Sequence, residues 1–190
     1  MFGPKRWIVE KTEFLQDCRV FSVSRTRSRS PHTGQPHSFF RIDSSDWANV
    51  VPITPEGGVV MVRQYRHGAD RVTLETPGGL VDSGETPADA AAREMLEETG
   101  YRASEIAPLG GVNPNPAIFG NRLHAFVARD SVQVTQIQSG ETEETVVEVV
   151  TREQLRRFVR DGTVDHALVV AALYLLDLHE GRVGNAHRRS

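Results

Sequence analysis

Residues 79–101 read GLVDSGETPADAAAREMLEETGY, and this stretch decides the fold. Thr86-Pro87-Ala88-Asp89 is a helix start, with Thr86 as N-cap, Pro87 at the first helical position and Asp89 reaching back. The spacing predicts a helix through AAAREMLEE that stops near Gly100, a residue suited to the left-handed C-terminal position. Just before it, Pro77-Gly78-Gly79 allows a tight loop that side chains would block. On the helix, Glu94, Glu97 and Glu98 stand at i, i+3 and i+4 and share one face. Three like charges so placed repel one another, and a hard divalent cation with oxygen ligands offsets that cost. Ala90, Ala91, Met95 and Leu96 are expected to face inward. A merely solvated acidic face would need none of the other fixed residues. Here Gly79, Glu85, Arg93 and Gly100 stand with the three glutamates, and at residue frequencies of roughly 5–7% such a set arises by chance at about 10⁻⁹ per starting position. Glu85 and Arg93 are expected to form a salt bridge tying the loop to the helix.

Working outward, 190 residues with 38% apolar content suffice for one core and a small appended unit. The net charge of −3 gives no electrostatic reason to expect nucleic acid as a partner. A single cysteine, Cys18, excludes an intrachain disulfide and fits a reducing compartment. MFGPKRWIVE lacks the apolar core of a signal peptide, and the apolar run Ala167–Leu176 is too short to span a bilayer. The expectation is therefore a cytoplasmic protein without a membrane partner.

RWIVEKTEFL, CRVFSVSR and SFFRIDS read as strands, joined by the polar turn RTRSRSPHTGQPH. WANVVPIT and GVVMVRQYR read as a hairpin about PEGG. Thr151-Arg152-Glu153-Gln154 is a capping box opening a helix that ends near Gly162, and Asp165 is expected to cap the last helix, HALVVAALYLLDLH. The pattern predicts an α/β chain of mixed sheets, with a small strand-rich unit at 1–45, a main domain at 46–180 and a flexible tail at 181–190.

The run 79–101 resembles the Nudix box. With VVMVRQYRHG, LETPGG and the C-terminal half, the chain is similar to the ADP-ribose pyrophosphatase and nucleoside-diphosphate-sugar hydrolase branch of that superfamily over residues 7 to 179. The resemblance implies a Nudix α/β/α sandwich with an N-terminal antiparallel β domain that serves a homodimer. It implies Mg²⁺, with Mn²⁺ able to substitute, held by the Gly78 carbonyl, Glu94 and Glu98, with Glu97 as ligand or acting through water. The catalytic set it implies is Glu98 and Glu97, with Glu141 as base and Glu143 as a further metal or water contact; Glu144 competes for the base role. Arg66 and Glu75 resemble substrate-site positions, a guanidinium suiting pyrophosphate oxygens. Pro116, in Asn113-Pro114-Asn115-Pro116-Ala117, lies near a proline associated with ADP-ribose activity, in surroundings that depart from the pattern. Trp47, Phe39 and Phe40 are candidates to stack a base. The implied reaction hydrolyses the pyrophosphate of ADP-ribose or a related nucleotide sugar to a nucleoside monophosphate and a sugar phosphate. The alternatives are hydrolysis of nucleoside triphosphates or dinucleoside polyphosphates, a non-catalytic ADP-ribose or nucleotide-sugar sensor, and RNA decapping. Crowded carboxylates resist ionising together, so metal affinity is expected to fall in acid.

Overall fold

The computed structural model describes residues 3–137 and 144–187, with side chains through Gly181. The chain forms two compact units. One comprises Met1–Ser45 and Asn113–Asn121, the other Asp46–Val112 and Arg122–Ser190.

The first unit is an antiparallel sheet in the order β1 (Ile8–Asp17), β2 (Ser22–Arg29), β3 (Pro36–Asp43). The polar tract read as a turn is largely strand. Arg25, Arg27 and Arg29 lie in β2, and the turn proper is closed by Ser30 N–H to the Gln35 carbonyl and Gly34 N–H to the Ser30 carbonyl, both 2.9 Å. The reason is alternation. Ser24, Thr26 and Ser28 are buried, while the arginines between them point outward to Glu10 and Glu13 of β1. Residues 113–121 complete this unit through a bridge between Ile42 and Phe119 and a bond from the Ile42 N–H to the Ile118 carbonyl.

The second unit holds β4 (Trp47–Pro52), β5 (Val59–Arg66), β6 (Arg71–Glu75), β7 (Gly78–Leu80), α1 (Pro87–Thr99), β8 (Tyr101–Arg102), β9 (Glu105–Val112), β10 (Leu123–Arg129), β11 (Val132–Gln133), β12 (Thr145–Val150), α2 (Arg152–Asp161) and α3 (Ala167–His187). Its main sheets run β7-β4-β10-β9 and β12-β5-β6, with β4 parallel to β10. β4 is buried on both faces, as a central strand requires. Ala48, Val50, Phe126 and Ala128 pack against Ala90, Ala91 and Met95 of α1. Val51, Ile53, Ala125 and Val127 face Leu155, Val169, Ala172 and Leu176 of α2 and α3, with Met61 and Leu74 from the other sheet. Helices thus cover both sides, the expected α/β/α sandwich.

Three details differ from the sequence reading. β4 and β5 are not a hairpin: beyond the single Ile53–Val59 bridge they join different sheets, because both edges of β4 are taken by β7 and β10. Asp165 is ion-paired with Arg71, and the carbonyl that opens the ladder of α3 belongs to His166, accepting from Val170 N–H at 3.0 Å. Finally, α3 continues to His187, past residue 181, with Glu180 anchored to Arg129 and Arg152.

Candidate functional site

The site is built around the start of β7 and the inner face of α1. Thr86 Oγ1 accepts the Asp89 N–H at 3.2 Å, Pro87 opens the helix, and Gly100 closes it at φ 72°. This fixes the axis of α1 and therefore the direction in which its glutamates project. Gly78 passes so close to the backbone of β4 that it tolerates no side chain, and Gly79 lies against the Glu94 carboxylate. A Cβ on Gly78 would lie 2.5 Å from Asn49 Oδ1 and 2.9 Å from Asn49 Cα, with the Ala48 carbonyl closer still, and one on Gly79 would run into the Glu94 carboxylate. The Gly78 N–H donates to Glu98 Oε2 at 2.9 Å. Glu94 and Glu98, one helical turn apart, are therefore brought onto the Gly78-Gly79 backbone, and Glu98 is buried.

Arg93 gathers the rest of the box. It donates to both oxygens of Glu85 at 3.0 Å, to Glu94 Oε1 at 2.8 Å, to Glu97 Oε2 at 3.2 Å and to the Leu80 carbonyl at 3.0 Å. The bond from Arg93 holds the Glu85 carboxyl below the usual range, with burial opposing it. The guanidinium is held more firmly charged than usual, chiefly by Glu85, with burial opposing and Glu94 adding to the effect. Glu97 is more exposed, its side chain half open to solvent.

A second cluster lies on β5 and β6. Arg66 Nε and Nη2 fork onto Glu75 Oε1 and Oε2 at 2.9 and 2.8 Å, and Thr73 Oγ1 donates to Glu75 Oε1 at 2.6 Å. Burial pushes the Glu75 carboxyl up, but the Arg66 and Thr73 bonds prevail and hold it below the usual range. Arg66 lines a cavity of about 570 Å³ with Arg63, Gln64, Tyr65, Glu144 and Val146 among its walls. Glu144 is exposed, and Thr145 beside it donates to the Glu98 carbonyl at 3.2 Å, so the start of β12 lies against α1. Glu141 and Glu143 lie outside the described residues.

Trp47, half-buried, begins β4 opposite Leu80 of β7. Phe39 and Phe40 are exposed on β3, and Phe39 meets Trp7 edge-to-face at 5.2 Å. Pro116 is exposed in the turn whose Ile118 and Phe119 N–H groups bond the Asn115 carbonyl. That turn belongs to the unit of residues 1–45, which its sequence did not signal. Sequence reading also missed His166, read only as the first residue of a helix, and the pair His124–Asp46, 2.8 Å apart, which no spacing signals.

The donor chemistry fits a hard divalent cation: buried carboxylate oxygens facing a backbone stripped of side chains. Among the described residues, no three acidic, His or Cys side chains already form a metal cage. A Mg²⁺ site does not need one, because that ion is commonly held by one or two carboxylates together with substrate phosphates.

A NUDIX domain profile matches residues 46–173. The chain belongs to the Nudix family. It is 33% identical over 132 residues to an ADP-ribose pyrophosphatase of Bacillus subtilis, covering 69% of this chain and 71% of that protein. It is 32% identical over 146 residues to an ADP-ribose pyrophosphatase of Haemophilus influenzae, covering 71% and 67%. A crystal structure of an ADP compounds hydrolase superposes with a TM-score of 0.83 over 96% of this chain and 98% of that one, at 22% identity. This Nudix chain thus shares its fold with that hydrolase over nearly its full length.

Proposed function

We propose that this Nudix pyrophosphohydrolase splits the pyrophosphate bond of ADP-ribose or a related nucleoside diphosphate sugar. The products are a nucleoside monophosphate and a sugar phosphate, and the reaction depends on Mg²⁺, for which Mn²⁺ can substitute. The observation that carries this reading is the convergence of Glu94 and Glu98 on the Gly78-Gly79 backbone, with Glu98 held by the Gly78 N–H. The pyrophosphatase names of the relatives above point to the same substrate class.

In this reading Gly78, Glu94 and Glu98 hold the cation, with Glu97 at its solvent side. When bound, a divalent cation neutralises phosphate charge and makes water a better nucleophile. Arg93, through its bonds to Glu85, Glu94 and Glu97, keeps those carboxylates oriented. Arg66, held by Glu75, is assigned to the pyrophosphate oxygens, which a forked guanidinium suits. Glu141 is assigned the role of the base that takes a proton from the attacking water, with Glu143 and Glu144 as the alternatives. Trp47 and Pro116 are assigned to substrate contacts.

The active form is a homodimer. Val9, Phe14 and Phe39, all exposed, register with Ser28, Ser24 and Thr26 on one face of the first unit, among His37 and Arg41, a mixed face that a second copy could cover. Cys18 as the chain's single cysteine suits the cytoplasm. No helix of the described residues is long and apolar enough to cross a membrane.

The test is phosphate release, coupled to a phosphatase, from ADP-ribose, ADP-glucose, GDP-mannose, UDP-glucose, NADH, dinucleoside polyphosphates and nucleoside triphosphates, with and without Mg²⁺. Turnover of ADP-ribose or nucleotide sugars is the expected result. Turnover confined to triphosphates or dinucleoside polyphosphates would remove the substrate assignment, and binding without turnover would make the chain a sensor.

A further inference from the structure

His166 Nδ1 is buried, has no hydrogen-bond partner among the described residues, and lies 3.7 Å from Glu75 Oε2. Its ring is partly open to solvent, at 42% side-chain exposure, so protons reach it freely. Its main chain is fixed by the bond from Val170 N–H to the His166 carbonyl. An orphaned buried ring nitrogen carries a desolvation cost unless some state of the protein satisfies it.

The surroundings indicate which state that is. Glu75 is almost fully buried, with a side chain 3% exposed. Its Oε1 takes Arg66 Nε and Thr73 Oγ1, and its Oε2 takes Arg66 Nη2. A carboxylate oxygen accepts more than one bond, so Oε2 keeps a place that faces His166. Of the charged groups around His166, Glu75 comes from β6 and Arg66 from β5 behind it, while Asp165, its chain neighbour, is paired with Arg71. Arg66 is thus the one full positive charge that these contacts give to Glu75. When a pyrophosphate draws on the same guanidinium, Glu75 shares that cation with a further anion, and a positive charge becomes favourable at the neighbouring imidazole.

We infer that His166 is a positioning residue for Arg66: as substrate pyrophosphate engages the guanidinium, His166 takes up a proton from solvent and donates through Nδ1 to Glu75 Oε2. Glu75 then keeps its anchorage and continues to aim Arg66 at the phosphate. The inference rests on the reading of Arg66 as a pyrophosphate ligand.

The experiment is calorimetric titration of the full chain with a non-hydrolysable, methylene-bridged ADP-ribose in Mg²⁺, in two buffers of different ionisation enthalpy. The proteins are wild type, His166→Asn, His166→Leu and Arg66→Met. Asn places a neutral N–H donor near the position of Nδ1. The wild type takes up protons on binding. His166→Asn keeps affinity close to wild type but loses the part of the uptake due to the ring. His166→Leu binds about 10- to 100-fold more weakly, the range for one lost hydrogen bond to a charged group. Thermal unfolding of both His166 variants checks that they fold. Equal affinity and equal proton uptake in wild type and His166→Leu would overturn the inference. Arg66→Met serves the separate question: if it binds as tightly as wild type, the underlying assignment of Arg66 fails, whatever His166 does.

Discussion

Gly78→Ala tests the site through a single methyl group. The added Cβ would stand 2.5 Å from Asn49 Oδ1 and 2.9 Å from Asn49 Cα, and the Ala48 carbonyl oxygen is nearer still. Carbon atoms rest about 3.5–4.0 Å apart, so β7 must move off β4 by about 1 Å. Two of the obstructing atoms are backbone of a central strand buried at both residues, which gives way little. Overpacking of this kind costs about 1–3 kcal/mol. The same shift draws the Gly78 N–H from the buried Glu98 carboxylate, and a bond to a charged group is worth about 1.5–3 kcal/mol. Together these place the loss at about 2.5–6 kcal/mol, and at about 2–4 °C per kcal/mol for a chain of this size the melting temperature falls by about 5–24 °C. A displacement of about 1 Å at a reacting centre costs about 100-fold in rate, so kcat falls by that order. The assay is thermal unfolding plus steady-state turnover of ADP-ribose, with Gly68→Ala as control, where the new methyl meets nothing within 4 Å. If Gly78→Ala melts and turns over like the control, the tight approach of β7 to β4 and its role in holding Glu98 are wrong.

Glu98→Gln retains an oxygen for the Gly78 N–H but loses its charge, so kcat should drop by orders of magnitude at an unchanged melting temperature; near wild-type turnover would refute the role given to Glu98. Glu141→Gln should lower kcat with little effect on KM, and unchanged turnover would move the base to Glu143 or Glu144. Removing divalent ions with a chelator should abolish hydrolysis, and Mg²⁺ or Mn²⁺ should restore it; activity that survives chelation would sink the cation assignment. The Glu75 carboxyl is held below its usual range by Arg66 and Thr73 against burial. Its contribution to stability is therefore present above the ordinary glutamate range near about pH 4.3 and is lost as pH falls through the lower folded value. Denaturant titrations from pH 6 to 3 should show a shallower acid loss in Glu75→Gln than in wild type, and parallel curves would count against that sign.

Much of α1 and its surroundings was legible because the signals are local. Thr86, Pro87 and Gly100 each act within a turn of the helix end, and the bond of Arg93 to Glu85 spans eight residues of one continuous segment. The capping box at Thr151 and Gln154 was legible for the same reason. What the sequence concealed depends on distant pairing. Nothing near PEGG shows that β4 lies parallel to β10, more than seventy residues away, and so has no edge left for β5. Arg25, Arg27 and Arg29 looked like a polar turn because their glutamate partners belong to another strand. His166 gave no signal at all, since its meaning comes from Glu75, ninety-one residues earlier in the chain.

The turn at Asn113–Asn121 sits between β9 and β10 in the chain, yet it folds with residues 1–45, where Asn121 Nδ2 donates to the Ser45 carbonyl at 2.9 Å and Ile42 N–H to the Ile118 carbonyl at 2.8 Å. The polypeptide therefore crosses between the two units three times. A chain cut to begin at Asp46 would keep every residue the family profile matches and still strip a nine-residue loop of its strand partner. The ends of that loop are β9 and β10, which pair with one another in the central sheet. The N-terminal residues are thus the partners of a loop that the family profile counts as its own, and a boundary drawn at residue 46 divides one folded unit in two.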